Sequence, residues 1–197
     1  MVAGEYLGEL LRVILFELHK LGILFGDQDI SRLEQLNVIN ASFLQIVEDD
    51  ITESLGEIHT IFKDQLGLDL NPDELKLCRY LVELIGTWAS RFYACGIAAI
   101  CKRRNIESCR VGVDGAVFNH WSHFRERASH ALRETLDWPF GTEDKVTFVG
   151  VPDGSGVGAA LIAALAVERR GWENTQSATE SVNQSRYLLL EFVGHGR

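Results

Sequence analysis

Basic residues are scarce in this chain. Lys and Arg total 19 against 28 Asp and Glu, which leaves a formal net charge of −9 over 197 residues. Nucleic-acid affinity comes mainly from neutralising phosphates with Lys and Arg, so no nucleic-acid partner is expected. The only basic cluster, Lys102-Arg103-Arg104, reads as the charged end of a helix, where cations complement the macrodipole. Cysteine is also sparse. Cys78, Cys95, Cys101 and Cys109 include no C-x-x-C pair, and three of them fall on or near one predicted helix. Buried reduced thiols are expected in place of a disulfide framework or metal site, and a reducing, cytoplasmic setting fits. No basic flank followed by an apolar core and cleavage site opens the chain, so no signal peptide is read. Long apolar runs are missing too: no segment approaches the roughly 20 residues of a bilayer span, and no membrane segment is expected.

What is present suits one soluble domain with a real core: 46% apolar and 24% charged residues. Leu7, Leu10, Leu11, Ile14, Leu15, Leu18 and Leu21 recur at helical spacing and predict a helix over 5–21, with Gly22 as its C-cap. This helix starts almost at Met1 with no strand or cap before it, which suggests a chain cut from something longer. Short helices are expected at 28–36 and 41–47, and a longer one over 51–66 stopped at Gly67. Asn71 then caps a helix with Pro72 at its first position and Glu74 at its third. From Asp73 its periodicity runs to about Arg104, roughly 48 Å of helix at 1.5 Å per residue. Gly86, Ala89, Ala94, Gly96, Ala98 and Ala99 make its second half small-sided, as in a central helix that other backbone approaches closely.

From Cys109 the pattern changes. Cys109 to Val113 is a short strand ending at Asp114-Gly115, and Ala116-Val117-Phe118 reads as the returning strand of a hairpin. An amphipathic helix follows over 123–136, then a β-branched strand over 145–151. Asp153-Gly154-Ser155-Gly156-Val157-Gly158 reads as a glycine-rich turn, and 159–169 as an Ala/Leu helix. The order is that of an α/β protein preceded by an all-helical insertion. The stretch 171–197 is polar and then abruptly apolar, and reads as a divergent, flexible tail. No internal repeat is found.

The glycine turn joins a strand to a helix, the context in which backbone N–H groups and a helix dipole meet an anion. It is not a Walker loop, because no Gly-Lys-Ser/Thr follows, and it lacks the third glycine of a dinucleotide fingerprint. By itself it is equally a tight strand-to-helix connection. Asp114-Gly115 has the same ambiguity: a carboxylate at a strand end can hold a metal-bound water, yet any hairpin can carry Asp-Gly. His120 and His123 are three apart, but no third metal ligand accompanies them. Glu48-Asp49-Asp50 reads as a solvated acidic face.

Five ordered blocks carry a resemblance. Tyr6-Leu7-Gly8-Glu9-Leu10-Leu11-Arg12 resembles the hexokinase stretch Y-L-G-E-L-x-R. Glu83-Leu84-Ile85-Gly86-Thr87 and Cys95-Gly96-Ile97-Ala98-Ala99-Ile100 resemble the long helix of fungal-type hexokinases. Val113-Asp114-Gly115 with Val117-Phe118 is similar to the family's second phosphate motif, and Asp153 to Ala160 is similar to its adenosine motif. The match covers 1–170, which the resemblance makes a hexokinase C-terminal, nucleotide-binding domain. It implies an actin-like ATPase (ribonuclease H-like) large lobe with a substantial helical insertion, incomplete relative to the family. It implies ATP or ADP with Mg²⁺ as ligand, contacted by Gly4, Glu5, Asp114, Gly115, Ala116, Gly154, Ser155 and Gly156. The bends after Val113 and after Pro152 should then face the nucleotide from the same side.

The resemblance also implies what this chain does not contribute. Phosphoryl transfer needs a base at the sugar hydroxyl, Mg²⁺ and a positioned triphosphate. In hexokinases the catalytic Asp, the sugar-binding side chains and the first phosphate loop lie N-terminal to the matched region. No residue here is assigned to catalysis, and hexose is expected as a partner only of the full-length family protein. Ala116 stands where the family often has Ser or Thr, Ala41 where a Thr lines the nucleotide site, and Trp88 where an Arg follows Gly-Thr. The expected function is ATP-dependent hexose phosphorylation at the 6-hydroxyl, with this segment as the ATP-binding part and inactive alone. The alternative is a non-catalytic, hexokinase-like regulatory or nucleotide-binding protein in carbon sensing.

Overall fold

The computed structural model describes residues 4–121, 123–139, 141–151 and 153–172. Nearly all of the expected tail, 173–197, lies outside the described residues. The chain divides into two compact units, Met1–Ala99 with Ala116–Asp137, and Ile100–Gly115 with Trp138–Arg197.

The first unit is helical. Helix α1 (Gly4–Lys20) buries Leu7, Leu11 and Leu15 completely, the i, i+4, i+8 stripe that its leucine spacing dictates. A single 3₁₀ turn, Ser31–Glu34, replaces the helix expected over 28–36. Helix α2 (Ala41–Asp49) is capped by Asn40, whose Oδ1 accepts from Phe43 N at 3.0 Å. Helix α3 (Gly56–Ile61) runs into a π turn, Phe62–Leu66, and stops at Gly67, where φ is +73°. It starts five residues later than expected from Ile51, because Leu55 takes φ +50° and breaks the helical path. Phe43 and Phe62 meet edge to face with centroids 5.0 Å apart, at the middle of this core.

Helix α4 (Pro72–Arg104) has 33 residues and the predicted start. Asn71 Oδ1 accepts from the N–H groups of Asp73 and Glu74 at 3.0 Å each, while Glu74 Oε2 accepts from Asn71 N at 2.9 Å, a reciprocal capping box. Cys78, Val82, Ile85 and Ala89 share one buried face, and Ala94, on another side of the helix, is buried as well. A side chain at Gly86 would put its Cβ 2.9 Å from both Trp121 and Arg127, so this glycine permits their close approach. Tyr80, Leu84, Trp88 and Phe92, at four-residue spacing, are exposed. By length and composition α4 does reach what a membrane span requires, contrary to the expectation above, because its Ile, Leu, Ala and Cys residues from Leu84 to Cys101 are interrupted by a single charge, Arg91.

Helices α5 (Ala116–His120) and α6 (Phe124–Thr135) complete the first unit. The expected hairpin return at 116–118 is therefore helix: Trp121 N donates to Val117 O at 3.1 Å, closing local bonds where a strand would have needed a neighbour. The acidic run is also not a solvated face. Glu48 and Asp50 are each only 2% exposed, Glu48 taken up by Trp121 and Arg127 and Asp50 by the backbone of α3; Asp49 alone faces solvent.

In the second unit the last residues of α4 lead to strand β1 (Cys109–Val113). Asn105, at φ +53°, reverses the chain, and Ile106 N donates to Cys101 O at 2.9 Å, a Schellman closure. Strand β2 (Val146–Gly150) pairs parallel with β1, from Cys109 opposite Val146 to Val113 opposite Gly150. Helix α7 (Gly154–Trp172) follows β2. The glycine-rich stretch expected as a turn before the helix is the first turns of the helix itself. Asp153, at φ +52°, makes the bend, and its carbonyl accepts from Val157 N at 3.0 Å.

Candidate functional site

Parallel strands present their carboxyl ends and the following helix N-terminus at one edge, where α/β proteins bind ligands. In the second unit β1 delivers Asp114 to that edge and β2 delivers Gly154, Ser155 and Gly156. Val151 N donates to Val113 O at 2.9 Å, which extends the pairing past both strands and carries the two segments together. Asp114 Oδ2 then accepts from both Ser155 N and Ser155 Oγ, each at 3.2 Å. The two bends singled out in the sequence are thus in direct contact through exposed residues. Gly154 lies under Asp114, where an added Cβ would stand 3.3 Å from the Asp114 Cβ. At Gly156 an added Cβ would fall 2.5 Å from Asp153 Oδ1. Gly115 has φ +143°, a conformation that side chains strain to adopt, and it lets the chain leave β1 sharply.

The electrostatics decide what such a site can accept. The positive end of α7 already faces Asp114 and Asp153. A bare phosphate brought there meets two carboxylates, and like charges a few ångströms apart repel by several kcal/mol at the roughly 20-fold effective dielectric of a protein surface. A phosphate carrying a divalent cation would meet the opposite situation, because the cation would offset the charge of the carboxylates. The donor set therefore suits a hydrated divalent cation that arrives with a phosphate. It does not form a closed metal cage: among the described residues no group of three or more His, Cys, Asp or Glu could hold a metal ion.

The other sequence-predicted residues belong to the first unit. Gly4 opens α1, and a Cβ added there would fall 2.8 Å from the Ala41 Cβ and 3.2 Å from Val117 Cγ2. Glu5 is exposed in the first turn of α1, and Ala116 opens α5. Gly8 was not singled out as a site residue, although it lies in the Y-L-G-E-L block. Its motif role is packing: an added Cβ would lie 2.0 Å from the carbonyl oxygen of Ile39, so only glycine lets α1 rest on that backbone. The signal for it was present in the sequence, as a glycine inside a strongly periodic helix. Trp88 is partly exposed and stacks on Phe92 with centroids 5.8 Å apart, so it fills none of the core.

The family model described as Hexokinase matches residues 1–165. The chain is 48% identical over 177 residues to a hexokinase of Emericella nidulans, covering 89% of this chain and 36% of that protein. It is 43% identical over 170 residues to Hexokinase-1 of Saccharomyces cerevisiae, covering 86% of this chain and 35% of that one. Among solved structures, a hexokinase from Schistosoma mansoni complexed with glucose superposes with a TM-score of 0.73 at 33% identity, over 83% of this chain and 36% of that chain. The chain thus spans about a third of the length of the relatives it matches.

Proposed function

The chain belongs to the hexokinase family, and from that premise we propose that it is the nucleotide-binding part of an ATP-dependent hexose kinase. The reaction of the whole protein would transfer the γ-phosphoryl group of ATP to the 6-hydroxyl of a glucose-like hexose. The observation that carries this reading is the Asp114–Ser155 contact, which joins the phosphate-motif bend to the start of α7. In the second unit Asp114, Gly115, Gly154, Ser155 and Gly156 would contact ATP or ADP with its Mg²⁺. The family resemblance adds Gly4, Glu5 and Ala116 from the first unit. Bound Mg²⁺ would neutralise phosphate charge and orient the triphosphate. Asp114 would hold a water of that ion, and the N–H groups at the start of α7 would bind oxygen atoms of the nucleotide.

The reading assigns this chain no base for the sugar hydroxyl, so binding is expected here without turnover. Calorimetric titration with MgADP tests it directly. Saturable binding that Gly156→Val weakens supports the site, since a branched side chain there would displace the Asp153 carboxylate and crowd the start of α7. Absence of binding in the unaltered, folded chain would overturn it. Glucose-dependent ADP formation by this chain would refute the assignment of catalysis to other residues.

A second reading is favoured by one group of observations. Ala116 and Ala41 lack the hydroxyl that the family pattern supplies, and Ala41 packs against Gly4. A non-catalytic, hexokinase-like protein that binds nucleotide or a regulatory partner would tolerate both changes. Binding of MgADP without any gain from Ala116→Ser or Ala41→Thr would favour it over the kinase reading.

A further inference from the structure

We propose that the free edge of β1 and the exposed surface of α7 dock the part of a hexokinase-type chain that this chain does not span, which adds a parallel strand to β1. The inference rests on the reading of this chain as the nucleotide-binding part of a hexose kinase. The surface lies wholly within the second unit. Cys109 N donates to Lys145 O, and Val113 O accepts from Val151 N, each at 2.9 Å. In a parallel ladder the backbone groups that face one neighbour come from alternate residues. Cys109, Val111 and Val113 therefore turn their N–H and C=O groups toward β2, and Arg110 and Gly112 turn theirs away. Among the described residues the sheet has two strands, and Arg110 and Gly112 are both exposed.

The second observation is α7. From Gly154 to Ala166 it carries no charged residue, yet none of these residues is buried. Val157 is 61% exposed, Leu161 49% and Ile162 70%. A helix that is apolar on every side belongs in a core. Parallel sheets are likewise found with both faces covered, yet Val149 of β2 is exposed. The second unit thus has an unpaired strand edge and an uncovered apolar helix, the two features that a larger α/β layer would take up.

Strand direction and length narrow the occupant. Purely parallel sheets outnumber what chance pairing would give, which favours a parallel addition to β1. A two-fold copy of this chain would bring β1 against β1 antiparallel, because the axis reverses the strand. A parallel strand also needs a crossover of a dozen or more residues, so it arrives with a domain-sized partner and not as a short peptide. The hexokinases of Emericella nidulans and Saccharomyces cerevisiae hold about two thirds of their length outside the match. That portion is long enough to bring both the strand and the cover for α7.

The test records amide hydrogen exchange by NMR in the isotope-labelled full chain, alone and co-expressed with the unmatched portion of the Emericella nidulans hexokinase. Size-exclusion chromatography with light scattering gives the stoichiometry. The expected result is a one-to-one complex in which the Arg110 and Gly112 amides exchange about 100-fold more slowly than in the chain alone. The Val111 and Val113 amides, which face β2, are protected in both states. Arg110→Pro removes an N–H that points away from β2, a change that an edge strand tolerates. It is expected to abolish the complex while MgADP binding by the chain persists. Absence of a complex with a chain that binds MgADP would overturn this inference and leave the nucleotide reading standing. A complex in which the Arg110 and Gly112 amides stay fast would overturn it as well, as would their protection in a homodimer. A complex formed by a chain that does not bind MgADP would support the docking surface and refute only the nucleotide site.

Discussion

The indole N–H of Trp121 donates to a carboxylate oxygen of Glu48 across 73 positions of sequence, in a site closed to water. Arg127 Nη2 reaches the other oxygen, Oε1, at 2.5 Å. That oxygen is held by charge and not by a well-aligned hydrogen bond, so the three side chains depend on one another. Removing one member of a buried pair strands the other, which typically costs about 3–5 kcal/mol. Glu48→Ala is therefore expected to destabilise the first unit by about that amount, seen as a lower urea midpoint. Replacing both charges, Glu48→Met with Arg127→Met, should recover most of the loss. A single variant within about 1 kcal/mol of the unaltered chain would remove the pair from the list of what holds this unit together.

Asp50 makes a pH-dependent contribution. Its burial raises the pKa, but hydrogen bonds from Thr52 Oγ1 and from the N–H groups of Thr52, Glu57 and Ile58 outweigh it, and the net direction is downward. A carboxylate with a depressed folded-state pKa stabilises fully above its unfolded value, about 3.9, and loses that stabilisation as pH falls through the folded value. The chain should therefore weaken below about pH 4 in part through this residue. Asp50→Asn should cost about 1 kcal/mol at neutral pH, where the anionic cap of α3 is lost. The gap between the two proteins should narrow below pH 4, as followed by thermal melts across the acid range. A constant gap would assign the acid sensitivity to other carboxylates.

These two acids show where sequence reading succeeds and where it stops. Helix α4 was legible from Asn71 to Arg104, because capping, periodicity and charge at both ends are local signals. The order of β1, α6, β2 and α7 was legible for the same reason, and so were the two segments that meet at Asp114 and Ser155. Glu48 and Asp50 were misread because three adjacent acids look solvated unless their partners are known, and Trp121 lies far along the chain. The hairpin after Gly115 was misread because Ala-Val-Phe suits a strand only if a neighbouring strand accepts it, and β1 pairs with β2 instead. The glycines at 154 and 156 looked like a loop because glycine is a poor helix former; here close approach of Asp114 and Asp153 selects it.

Gly8 gives a prediction free of ligand chemistry. Its missing side chain lets α1 lie against Ile39 O, and an added Cβ would be 2.0 Å from that oxygen. The obstacle is backbone, so no rotamer change relieves it. Gly8→Ala should destabilise the chain by about 2–3 kcal/mol despite the better helix propensity of alanine, as expected of overpacking. At Gly96, where an added Cβ meets nothing within 4 Å, the same substitution should be neutral or stabilising. Thermal melting of the two variants side by side separates packing from propensity; equal behaviour would contradict the α1 contact.

Asp114 is the point at which the electrostatic argument can fail. Its carboxylate bonds Ser155 at the positive end of α7, beside Asp153. If the cation carried by the nucleotide is what reconciles two acids with a phosphate, neutralising Asp114 should have opposite effects with and without metal. Asp114→Asn is expected to weaken MgADP binding about tenfold, about 1.4 kcal/mol, through loss of the charged partner. In excess chelator the same variant should bind ADP more tightly than the unaltered chain, because one repulsive charge is gone. Calorimetry in the two buffers at fixed ionic strength reads both, and Asp153→Asn should shift the chelated arm in the same direction. A variant that weakens ADP binding equally with and without Mg²⁺ would mean that Asp114 only shapes the turn, and that no cation is shared between this carboxylate and the nucleotide.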